Sequence, residues 1–282
     1  MRRGLRPPVQ DASKGPMDVE ALCTMLDSIS VARPIVAQVL AVLNDPNADA
    51  HRVAAAVETD PAFAAQVMRL ANSAFYGMGG RVGNTGFAVT VVGFSAVRSL
   101  AAVTATGVNR PGLPKPPGYW QHAAASAAGC SVVAHRFGLA KGDAFAAGLL
   151  HDLGVALLHA CDHEAHLEIL EEHGHDGVAL AQAEAAHFGM GHDAAAARVL
   201  AAWRFPEPFV TAVANHHAEH PTTQPFTQVV RLGDQLAQLA LDPDDDEART
   251  AVIDAIGPAD VDATVASTAD RAAEILMSLP TS

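Results

Sequence analysis

No stretch of this chain alternates apolar and polar residues as a half-buried strand must. Apolar side chains instead recur every three or four positions. They do so at Ile35, Val36, Val39, Leu40 and Leu43, at Phe63, Val67, Met68, Leu70 and Ala71, and at Phe145, Leu149, Leu150, Leu153 and Leu157. Alanine makes up about a fifth of the 282 residues and aromatics 5%, a bias toward helix. Half the residues are apolar, which supplies a substantial core. The expected fold is all-α, a two-lobed helical bundle.

Charge narrows the partners. With 18 Lys+Arg against 31 Asp+Glu, the formal net charge is −13, and no helix is dense in Arg and Lys, so direct nucleic-acid binding is not expected. No apolar run reaches the roughly 18 residues of a membrane span. The opening MRRGLRPPVQDASKGP is basic but lacks the apolar core of a secretory leader. Cys23, Cys130 and Cys161 are odd in number and form no CxxC, which points to a reducing, cytoplasmic setting.

Histidine divides the chain. Of 14 His, His51 alone precedes residue 120, and thirteen fall between His122 and His220. Between the two regions lies PGLPKPPG, whose four prolines cannot sit within a helix. The organisation expected is a tail over 1–16, an N-terminal helical lobe over 17–110, a Pro-rich linker over 111–118, a helical domain over 119–241 and a C-terminal helical extension over 242–282. Asp60-Pro61 reads as an N-cap followed by proline at the first helical position. The glycines of 77–86 mark a loop. Gly93 breaks one helix from the next. Asp143 is a possible cap for a helix running through Leu157.

His151-Asp152 sits within GLLHDLG, where Leu149, Leu150 and Leu153 imply a buried helix. Buried ionisable groups need a partner, and a metal ion is one. Imidazole and carboxylate suit divalent Fe, Mn, Zn or Ni. Other donors must come from other helices: His122 in YWQHAAAS, His192 in FGMGHDAA, His216-His217 in VANHHAEH, and Asp234 in VVRLGDQLA. Inward ligands on several helices are how a bundle builds a two-metal centre. The plainer reading is a structural His–Asp hydrogen bond in a core, with His216 and His217 at a solvated helix end. His135, His159, His163, His166, His173, His175 and His220 read as surface residues, and His187 falls outside the cluster. Asn72, Ser73 and Tyr76 read as a helix cap and turn, and Trp120 and Trp203 as packing.

HAAAS, GLLHDLG, GMGH and NHH, in that order, resemble the HD metal-dependent phosphohydrolase superfamily. Asp60-Pro61, LANSAFYG, AVTVVGFSAVRSL, and the succession of His192, Trp203-x-x-Pro206 and His216-His217 resemble its HDOD branch, over roughly residues 20 to 220. The resemblance implies His122, His151, Asp152 and Asp234 as the minimal ligand set. The cyclic di-GMP phosphodiesterase branch, HD-GYP, adds ligands that map to His192, His216 and His217. Two departures stand out. Active relatives usually carry Lys after HDxG to meet substrate phosphate, and here that residue is Val155. The GYP motif is absent from HHAEHPTTQPF.

The resemblance therefore implies a bacterial signal-transduction module, acting through proteins such as a kinase or response regulator, that holds one or two divalent ions or none and turns over little. A cyclic dinucleotide is a conceivable ligand. The alternative is a metal-dependent phosphohydrolase with a di-metal centre bridged by Asp152, drawing cationic help from Arg98, Lys141 or Arg231 if the fold brings one close.

Overall fold

Acidic caps and prolines decide where the first helices begin. In the computed structural model, which describes Thr24 and residues 34–107, 115–174, 177–218 and 222–279, helix α1 (Pro34–Leu43) buries Val36, Val39, Leu40 and Leu43. Asp49 caps α2 (Ala50–Val57) by accepting from Arg52 N. Asp60 accepts from Ala62 N and Phe63 N at the start of α3 (Pro61–Asn72), with Pro61 in the first turn where its missing N–H costs nothing. Asn72 then exchanges two 2.9 Å hydrogen bonds with the Val82 main chain and pins the glycine-rich loop to α3. At Gly93, whose φ of +83° suits glycine, the chain turns by 102° between α4 (Thr85–Val92) and α5 (Phe94–Thr106). The expected tail over 1–16, Cys23, residues 111–114 of the Pro-rich stretch, His175 and His220 lie outside the described residues.

The second region is built around α6 (Tyr119–Val133), an Ala-rich helix buried along almost its whole length. It packs against α7 (Lys141–Leu150), α13 (Pro225–Leu241) and α15 (Val261–Ser278). The crossing with α13 is a backbone contact: a Cβ on Gly129 would lie 2.7 Å from Gly233 O, and one on Gly233 would lie 2.2 Å from Cys130 Sγ. That approach sets Asp234 beside α6. Contact between α5 and α7 joins the two regions through one continuous apolar core, which includes Trp120 and Trp203. Among the described residues every regular element is helical. The stretch Lys141–Cys161 is long and apolar enough to cross a membrane, and 83% of its apolar window is buried within the bundle.

Two expectations are corrected. The helix expected to run to Leu157 is interrupted: α7 ends at Leu150, His151 and Asp152 form a turn, and α8 runs over Leu153–Cys161. Successive residues on a continuous helix point about 100° apart, and the turn lets both neighbours face the same interior point. Nor does Asp143 cap α7. Ala140 is the residue before the helix, and Asp143, inside the first turn, accepts from Ser95 Oγ of α5.

Candidate metal centre

All seven proposed donors converge. His122 comes from α6 and His151-Asp152 from the α7–α8 turn. His192 is the first residue of α11 (His192–Ala202), His216-His217 follow α12 (Glu207–Ala214), and Asp234 comes from α13. Gly154 lets α8 approach α11 closely, since a Cβ there would lie 1.9 Å from His192 O. His122, His151, His192, His216 and Asp234 are buried, and Asp152 and His217 are half-buried.

The donors fall into two groups that share Asp152. In the first, His122 Nε2 lies 3.2 Å from Asp152 Oδ2, 3.0 Å from Asp234 Oδ1 and 3.3 Å from His151 Nε2. His151 Nε2 lies 3.3 Å from Asp152 Oδ2 and 3.6 Å from Asp234 Oδ1. In the second group, Asp152 Oδ1 lies 3.3 Å from His216 Nε2 and 3.6 Å from His192 Nε2, and the His192 and His217 Nε2 atoms are 3.0 Å apart. Ligand atoms at the usual 2.0–2.1 Å from one transition-metal ion stand about 2.9–3.4 Å from one another, a spacing both groups approach.

Ring orientation carries the same message. The Nδ1 of His151 sits 2.8 Å from Gly148 O, that of His216 2.6 Å from Val213 O, and that of His192 2.6 Å from Glu184 Oε2. Each acceptor fixes the proton on Nδ1 and leaves the Nε2 lone pair facing the interior. Asp152 Oδ1 and His216 Nε2 are buried without a hydrogen-bond partner despite their proximity. Lone pairs turned on one another repel unless a cation lies between them. The donor set therefore fits one or two divalent ions.

The electrostatics agree. Burial opposes charge on Asp152, yet His151, His122 and His216 around it hold its carboxyl well below the usual range. Burial likewise opposes charge on Asp234, and His122 and His151 pull its pKa down. Burial alone would lower His122, but hydrogen bonds to Asp152 and Asp234 raise it to about 10. His192 rises to about 9 against its burial, chiefly through Glu184 and Asp152. His217, half-buried beside His216, falls to about 3 through desolvation and that neighbour. Without metal, protons on His122 and His192 stand where cations are called for.

Three participants were not foreseen as such. His159 and His166, expected at the surface, are buried at 2% and 0% exposure. Glu184, on α10 (Gly177–Phe188), is fully buried and unites them with the centre: His166 Nε2 donates to Glu184 Oε1 at 2.9 Å, and His159 Nδ1 lies 3.2 Å from His166 Nδ1. The signal for Glu184 is faint, a single carboxylate in the apolar run VALAQAEAAHF. His135 and His163 are exposed as expected, and His173 is half-buried.

A cavity of about 20 Å³ touches both groups, and Val155 lines it. Beside it opens a cleft of about 840 Å³, reached by His122, His216, His217, Asp234, Gln121 and Arg231. Arg231 is the lysine or arginine among the described residues lining these cavities, and its guanidinium donates to Asn215 O at 2.9 Å. Arg98 is engaged elsewhere, donating to Leu43 O, Asn44 and Arg204 O, and Lys141 donates to Phe75 O.

A family profile described as HDOD domain matches residues 30–219. Comparison with curated proteins yields no match. The fold is similar to that of a candidate phosphohydrolase from Shewanella amazonensis SB2B, with a TM-score of 0.70 and 23% identity over 92% of this chain and 98% of the other. A candidate signal transduction protein from Marinobacter aquaeolei VT8 gives 0.66 and 23% identity, over 94% of this chain and 66% of the other. An HDOD domain protein of unknown function from Geobacter sulfurreducens gives 0.60 and 20% identity, over 92% and 99%.

Proposed function

This chain belongs to the HDOD domain family, and from that premise we propose that it is a metal-binding regulatory module of bacterial signalling whose centre holds ligand more readily than it cleaves it. The observation that carries the reading is a complete set of seven inward donors with apolar Val155 beside it. His122, His151, Asp152 and Asp234 would hold one ion, and Asp152, His192, His216 and His217 a second. Bound divalent metal would supply Lewis acidity and lower the pKa of a water.

The chain's own residues do the rest. Gly148 O, Val213 O and Glu184 orient three imidazoles. Val155 excludes water from one wall but offers no charge to a phosphate, a task that needs a lysine or arginine. Ligand capture in the cleft would then be read by a partner such as a kinase or response regulator in the cytoplasm. A second reading, a metal-dependent phosphohydrolase, draws on the size of the cleft and the presence of Arg231 on its wall.

One assay separates them. Protein loaded with Mn²⁺ or Fe²⁺ is given cyclic di-GMP, and phosphodiester cleavage is followed. The regulatory reading expects cleavage no faster than in the Asp152→Ala variant. Turnover well above that background, lost in Asp152→Ala, establishes the hydrolase instead.

A further inference from the structure

The carboxylate of Glu184 is fully buried, a placement that is costly unless each oxygen is satisfied. It is satisfied by two histidines. Oε2 accepts from His192 Nδ1 at 2.6 Å and from the His192 main-chain N–H at 2.7 Å, while Oε1 accepts from His166 Nε2 at 2.9 Å. The main-chain bond serves a free N–H in the first turn of α11, whose preceding residue, Gly191, has no side chain to offer. The side-chain bond keeps the His192 proton on Nδ1, so that Nε2 presents a lone pair toward Asp152 and His217.

The line continues outward with one consistent set of tautomers. With His166 Nε2–H given to Glu184, a neutral His166 accepts at Nδ1 from His159 Nδ1–H, 3.2 Å away. Burial, with His166 and His163 nearby, lowers His159 to about 4 and keeps it neutral for that task. Helix α10 touches the second donor group once more. At its first residue, Gly177, a Cβ would lie 1.9 Å from His217 Cε1, so the helix backbone comes right up to that imidazole. Two of the three histidines of the second group are thus braced by α10. Among the described residues no such hydrogen bond or close glycine approach links α10 to His151 or Asp234, which rest on α6, α7 and α13.

We infer that Glu184 is the positioning residue of the second metal position, acting through His192, and that α10, backed by His166 and His159, sets the affinity of that position independently of the first. The inference rests on the metal-binding reading above. Outer carboxylates on metal-bound imidazoles are worth about 10–100-fold in affinity, which is the effect expected here.

The test uses the full chain and Zn²⁺ alone as probe, with stepwise dissociation constants from chelator competition and ring ¹⁵N shifts from histidine-selective NMR. Glu184→Gln keeps the shape but puts an NH₂ against N–H donors on one side, either the two of His192 or that of His166. It should weaken one zinc step about 10–100-fold, the same step weakened by His217→Ala. It should leave within twofold the step weakened by Asp234→Ala, and the His192 ring resonances should move while those of His151 stay. Gly177→Ala should weaken the same step as Glu184→Gln and serves if that variant folds poorly. Equal weakening of both steps, or of neither, overturns the inference while the metal reading stands. A wild-type chain that takes up no zinc overturns both.

Discussion

In the first donor group His151 and Asp234 are set by main chain; in the second His216 is as well, through Val213 O, but His192 is set by a side chain. His151 is oriented by the Gly148 carbonyl, and Asp234 is placed by the glycine-to-glycine crossing of α6 and α13. His192, by contrast, takes its orientation from Glu184, whose other oxygen leans on His166 and, through it, on His159. A carbonyl within a helix turn stays put as long as the helix does. A buried file of ionisable side chains depends on every member remaining in place and in one tautomer. The difference teaches that one centre can combine a rigid half with an adjustable half, and in a regulatory module the adjustable half is where occupancy can be tuned.

The largest expected effect erases the contrast. Asp152 offers one oxygen to each group, so Asp152→Ala should reduce bound metal from the wild-type content to none, measured by elemental analysis after loading and desalting. An intermediate substitution pair sharpens it. Gly154→Ala presses a methyl against His192 O, and Gly233→Ala presses one against Cys130. Overpacking of this kind costs about 1–3 kcal/mol of stability. Urea denaturation should report a loss in both variants, with the first losing metal at the second group and the second losing it at the group containing Asp234.

The smallest effect is in pH. His122 and His192 are raised to about 10 and about 9, above an unfolded value of about 6.5. Their contribution to the metal-free fold is therefore complete below pH 6.5 and fades as pH climbs through 9 to 10. The metal-free protein should lose on the order of a few °C of Tm over that climb. Metal-loaded protein, in which cations replace those protons, should hold its Tm, as calorimetry at several pH values would show.

Much of this was legible because polarity interrupts pattern. His151-Asp152 between leucines stands out where an apolar face is expected, and Asp60-Pro61 carries a cap that acts locally; Asp234, in an amphipathic helix where an acid is usually solvated, was pointed to by the family resemblance rather than by pattern. The break at His151-Asp152 was not legible, since neither residue is a glycine or proline that would mark the end of a helix. His159 and His166 read as surface for another reason. The acceptor that lets His166 be buried, Glu184, lies 18 residues further on, and an acid among alanines looks like a solvated face until the other helices are in place. Val155 gave its meaning through the family resemblance, and the structure adds that its side chain borders the cluster.

The most direct measurement is anomalous diffraction from crystals of the full chain grown with Mn²⁺. Two peaks flanking the Asp152 carboxylate, one toward His122, His151 and Asp234 and the other toward His192, His216 and His217, are the predicted result. A cluster free of anomalous signal, with its imidazoles hydrogen-bonded to one another and to the two aspartates, would contradict the account.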